Sequence, residues 1–153
     1  MPVETATLGL SGFWAGLALG RLAGATFGDR YSHWALAAGA GLVLAVAVVV
    51  AVAAPSPELA IGAFAIAGFA AGPIFPMIMA TAGELIPGRV SATIGSLTAA
   101  AVVGGMIYPP LIGLMSASLG IATGLVGAAG LSIACATAVV LAARLPRTSS
   151  LRS

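Results

Sequence analysis

Three stretches without a single Asp, Glu, Lys or Arg, residues 31–57, 59–83 and 90–143, dominate this chain. A helix that crosses the hydrocarbon core of a bilayer needs about 20 mostly apolar residues at about 1.5 Å each. The first two stretches each hold one such helix. The third is long enough for two, with Ser116-Ala117-Ser118-Leu119-Gly120 as the natural hairpin between them. Charged residues make up 7% of the sequence, against roughly 25% in soluble domains. Such a chain cannot coat a water-soluble globule, and it is expected to be an all-α, polytopic membrane protein with the lipid bilayer as its solvent.

The charges are Glu4, Arg21, Asp29, Arg30, Glu58, Glu84, Arg89, Arg144, Arg147 and Arg152. Helices set between them fall at about 6–28, 33–54, 58–82, 91–115 and 119–143, a single transmembrane domain over 1–153 with a tail at 144–153. Pro55 and Pro57 follow the second span, Pro87-Gly88 the third and Pro146 the last, where helices should stop. With the N-terminus outside, all six arginines lie on the cytoplasmic side, and the loops around Glu4, Glu58 and Ser116 have none. That is the positive-inside pattern. Trp34, beside His33, suits the aromatic belt on that side. The expected location is a membrane, the bacterial inner (plasma) membrane, with the C-terminus cytoplasmic. Met1-Pro2-Val3-Glu4 has no basic n-region, so the first apolar stretch does not read as a cleaved signal peptide.

The net charge of +2 comes from arginines near span ends, not from a basic patch with interleaved aromatics, so no nucleic-acid partner is implied. Cys135 is the single cysteine. It lies inside an apolar run and reads as a buried small hydrophobe. No metal-ligand cluster, phosphate-binding loop or nucleophile elbow occurs, and no Asp or Glu sits in the middle of a span. The chain is not expected to be an enzyme, and no catalytic residue, metal or cofactor is assigned.

Gly12, Gly16, Gly20, Gly24 and Gly28 recur every fourth residue along the first span. Each step of four advances about 40° around a helix, so they form a slowly winding stripe suited to close helix–helix packing. Gly68 to Pro76 carries Pro73 and Pro76 inside the third span, and Gly104-Gly105 with Pro109-Pro110 repeats the theme in the fourth. Prolines there free backbone carbonyls, and interrupted helices point to a substrate path in transporters. Trp14, Arg21, Phe75 and Tyr108 are the candidates for that path. Arg21 lies seven residues before Gly28, about 10 Å from the helix end. It either snorkels to the surface or faces a polar crevice or an acidic partner. Asp29 and Arg30, with Glu84 and Arg89 in the next loop on the same side, could latch helix ends together and favour one conformation over another.

The residues just described resemble the major facilitator superfamily, in its fucose-permease-like branch. Ser11 to Leu22 is similar to that branch's eighth helix, and Gly20 to Arg30 to the second copy of the family's signature loop. Gly68 to Pro76 resembles the tenth helix, Glu84, Pro87 and Arg89 the loop after it, and Gly104 to Gly113 the eleventh. One departure is that Arg30 is followed by Tyr31-Ser32-His33 rather than by further basic residues. The resemblance implies that the five spans are helices eight to twelve, part of the C-terminal six-helix bundle, and that the N-terminal half and the seventh helix are absent. In the family, the eighth and eleventh helices help form the interface with the N-terminal half. The glycine-rich first and fourth spans are therefore expected to present packing faces whose partner is missing.

The resulting expectation is a C-terminal fragment of a secondary transporter that moves a small solute, a sugar or another organic metabolite, by alternating access, and that is inactive alone. Its partners would be the solute and the missing N-terminal helical bundle or another membrane chain. The alternative is a small stand-alone membrane protein acting as a homo-oligomeric or accessory subunit.

Overall fold

Prolines, a serine cap and one glycine decide where the helices of this chain begin and end. The computed structural model describes residues 3–144, which form α1 (Val3–Phe27), α2 (His33–Ala53), α3 (Pro57–Leu85), α4 (Val90–Leu119) and α5 (Ile121–Arg144). Single 3-10 turns, Gly28–Arg30 and Pro87–Arg89, follow α1 and α3. The Ser56 hydroxyl accepts a hydrogen bond from the Leu59 amide at 3.3 Å, and Pro57 occupies the first turn, where a missing N–H costs nothing. The tail expected after Arg144, with Pro146, Arg147 and Arg152, lies outside the described residues.

Two expectations about helix ends change. Ser116, Ala117, Ser118 and Leu119 belong to α4, and the chain turns at Gly120 alone, whose φ of 86° suits a residue without a Cβ. Pro73 and Pro76 in α3, and Pro109 and Pro110 in α4, do not interrupt their helices, which run through them. α2, α3, α4 and α5 are long and apolar enough to cross a membrane. α1 is long enough at 25 residues but the least apolar of the five, because Ser11, Trp14 and Arg21 interrupt its aliphatic residues.

α1 and α3 lie side by side and run in the same direction, because Gly12, Gly16, Gly20, Gly24 and Gly28 meet Ile61, Ala65, Phe69, Pro73 and Met77 in order. A methyl group on Gly16 would overlap the backbone of Ala65 and Phe69, and one on Gly20 the Phe69 carbonyl. The fit is reciprocal. A methyl on Gly68 would strike the Phe13 carbonyl, and one on Gly72 would lie 2.6 Å from the Arg21 nitrogen. The stripe expected to await a missing partner is thus occupied within the chain, by small residues at matching spacing on α3. The seam also explains why α3 tolerates Pro73. That proline deprives the Phe69 carbonyl of its helical donor, and the same carbonyl is covered by the α-carbon of Gly20.

α2 crosses back between α3 and α5 and forms the middle of the bundle. Its Ala45, Ala47 and Val48 pack with Ala67 and Ala129, flanked by Phe13, Leu44 and Leu125. Small side chains let the backbones approach, which is how helices gain contact where lipid removes the hydrophobic drive. The Ser132 hydroxyl of α5 donates to the Gly41 carbonyl of α2 at 2.9 Å. α4 packs mainly on α5, touches α3, and has no buried residue.

Candidate functional site

The directions of the helices gather Asp29, Arg30, Glu84, Arg89 and Arg144 at one end of the bundle, while Glu58 marks the other. At the charged end the four expected latch residues do not pair with one another. Among the described residues, the close carboxylate contacts run through His33, the first residue of α2. Its Nδ1 is 2.6 Å from Glu84 Oε1, and its Nε2 is 3.9 Å from Asp29 Oδ1. The Arg30 guanidinium instead lies 5.5 Å from the centre of the Phe27 ring, a cation–π distance. The Arg89 carbonyl accepts from the Thr93 hydroxyl at 3.0 Å. Physically, the N-terminal end of α2 carries partial positive charge and favours carboxylates beside it, and an imidazole there can bridge two of them. The imidazole therefore ties the end of α3 to the start of α2. The Asp29–His33 spacing of four was readable in the sequence, but Glu84 is 51 residues from His33.

The Arg21 backbone abuts Gly72, which lies one residue past the middle of α3. Arg21 is therefore level with the middle of a helix of membrane-crossing length, deeper than its distance from the end of α1 implies. It shares one face of α1 with Ser11, Trp14, Ala18 and Ala25, all exposed, a face that lies opposite the glycine seam at Trp14 and beside it at Arg21. No ion pair or hydrogen bond reaches the Arg21 guanidinium among the described residues. Trp14 is 60% exposed, and its ring stands edge-on to Phe13, 86° between planes and 6.1 Å between centres. Phe13 packs against the core, so it orients the indole.

Phe75 and Tyr108 lie elsewhere. Phe75 lines a groove of about 380 Å³ between α3, α4 and α5, together with Leu97, Thr81 and Cys135. Cys135 is exposed in that groove rather than buried, because no described residue fills it. The Tyr108 hydroxyl donates to the Gly124 carbonyl at 3.3 Å and bridges α4 to α5. A larger cavity, about 700 Å³, opens at the end away from the arginines among Leu10, Phe13, Ile61, Phe64, Ile121 and Leu125. Its lining is apolar apart from Ser56, and none of the four expected path residues contributes to it. The structure thus brings Trp14 and Arg21 onto one face and leaves Phe75 and Tyr108 at other helix contacts.

Among the described residues no group of three or more His, Cys, Asp or Glu side chains could hold a metal ion. A family model described as the Major Facilitator Superfamily matches residues 1–153. No curated protein and no solved structure matches the chain. Helices of membrane-crossing length, small-residue packing seams and a match along the whole sequence agree, and this chain belongs to the major facilitator superfamily of membrane transporters.

Proposed function

We propose that the chain acts as helices eight to twelve of a carrier in the fucose-permease-like branch, moving a small organic solute by alternating access together with a companion helical bundle. The open face of α4 is the observation that carries this reading. α4 has no buried residue, and methyl groups on Gly95, Gly104, Gly105 and Gly113 would meet nothing within 4 Å. Pro109 and Pro110 also free the carbonyls of Gly105 and Met106 on that helix. Free carbonyls facing lipid are costly, and they are tolerated against protein or water. A companion bundle packed there would cover both the glycines and the carbonyls.

In this reading all five helices span the bacterial inner membrane, with the N-terminus outside and the Arg30, Arg89 and Arg144 end in the cytoplasm. The Asp29–His33–Glu84 clasp, with Arg30 and Arg89 beside it, holds the cytoplasmic helix ends in one of the carrier's two conformations. The chain by itself does not transport.

The test is to translate the DNA upstream of Met1 in all frames and to assay uptake by the restored carrier and by this chain alone. The expected result is about seven further spans, with uptake only by the restored carrier. Absence of upstream helices, together with a discrete homo-oligomer of this chain in nanodiscs, would overturn the reading in favour of a stand-alone subunit.

A further inference from the structure

Arg21 is a charge at the wrong depth for lipid. Its backbone is level with Gly72, 13 residues from the end of α3 at Leu85, which is roughly 20 Å along the axis. An arginine near mid-membrane costs about 2.5–3.5 kcal/mol on insertion scales. Snorkelling gives little relief here. The Cα–Cβ bonds of a helix tilt toward its N-terminus, and the end of α1 nearer to Arg21 is the C-terminal one. The Cβ of Arg21 therefore starts away from the charged end of the bundle, and the side chain would have to turn back to reach it.

Among the described residues no counter-charge lies at this level. Within the described helices that flank it, Glu58 sits in the first turn of α3 and Glu84 in the last, where it is engaged by His33. What the face does supply is a floor of small residues, Ala18 and Ala25, on either side of Arg21, and an indole two turns away. Trp14 and Arg21 are seven residues apart, about 10 Å along the helix.

We propose that this face of α1 recognises an organic anion: a solute whose carboxylate pairs with the Arg21 guanidinium while its carbon body lies against Trp14. The guanidinium is always charged and offers a planar fork that matches a carboxylate in two parallel hydrogen bonds. An indole gives a flat apolar surface with a single donor, suited to the ring or chain of a small acid. The inference rests on the carrier reading, and it narrows the solute from any small metabolite to an acid.

The experiment uses the whole chain in nanodiscs with Trp34→Phe, which leaves Trp14 as the only tryptophan, and titrates D-glucuronate and D-glucose, a pair that differs by one carboxylate. Glucuronate is expected to shift Trp14 emission saturably and glucose is not. Arg21→Gln is expected to weaken glucuronate binding by more than about tenfold, with Arg21→Lys in between. A response to glucose that survives Arg21→Gln would overturn the anion assignment and leave the carrier reading standing. Silence toward both sugars would overturn the assignment too, and the uptake assay of the restored carrier would decide the carrier reading separately. If Arg21→Gln instead abolishes assembly with the upstream helices while glucuronate uptake persists in Arg21→Lys and Arg21→Gln alike, a protein carboxylate occupies Arg21 and the solute proposal fails.

Discussion

α1 and α4 are both long, glycine-rich helices, and the bundle uses them in opposite ways. In α1 the glycines at every fourth position are matched by Ala65, Gly68 and Gly72 on α3, so the two backbones come into contact. In α4 the glycines are nearly as numerous, four against five, but no described helix faces them, and Met106 beside them is 71% exposed. The number of glycines therefore does not tell a closed seam from an open one. What matters is whether another helix carries small residues at the same spacing and can lie alongside in the right direction. α3 meets both conditions for α1, because α2 returns the chain to the starting side of the bundle.

The sharpest way to break this contrast is to add side chains to the closed seam. Gly20→Val should prevent α1 and α3 from docking, and Gly20→Ala or Gly72→Ala should each destabilise the bundle by about 1–3 kcal/mol, read from unfolding in mixed detergent micelles. Full retention of stability in both alanine variants would mean that the seam is looser than the geometry indicates. A smaller effect is expected at the charged end. His33→Ala removes the bridge to Glu84, but the Glu84 side chain is about half exposed, so the loss should stay below about 1 kcal/mol. Its signature is faster hydrogen exchange at the start of α2 without a change in the α1–α3 seam. The smallest effect belongs to the open helix. Gly104→Ala should leave the stability of this chain within about 0.5 kcal/mol or raise it slightly through helix propensity. In the restored carrier the same change should reduce uptake. A stability loss in the chain alone would show that α4 already has a partner.

Much of this arrangement was legible in the sequence, for identifiable reasons. Uncharged runs bounded by Pro55, Pro57 and Pro87 fix the helices to within a few residues, because charge and proline act locally. The stripe from Gly12 to Gly28 was equally plain, but its partner was not. A small-residue face specifies close packing without specifying which helix supplies it, and Gly68 and Gly72 were read as features of a kinked path rather than as the other half of a seam. The continuity of α3 through Pro73 has the same origin, since the carbonyl that proline frees is covered by a residue of another helix. The partners of the latch carboxylates were not legible, because arginines draw attention as carboxylate partners, whereas in the fold Asp29 and Glu84 both lie beside the only histidine. Arg21 was legible as a charge about 10 Å from its own helix end, near mid-span, but its register with Gly72, in the middle of α3, needed the fold.

The pairing of α1 with α3 also bears on how the protein is made. α1 is the least apolar of the five helices and carries an arginine, so it enters a bilayer least readily on its own. The helix that covers its glycines is not the next one synthesised but the one after that. Gly72 leaves the ribosome about fifty residues after Gly20, on the order of 3–10 s later at ordinary elongation rates. During that interval α1 and α2 must wait in or beside the insertion machinery, with the glycine seam bare and Arg21 without its final surroundings. The same close contact that defines the finished bundle thus makes α1 the segment most dependent on the timing of translation, and the one whose insertion slower or faster synthesis of α3 would most disturb.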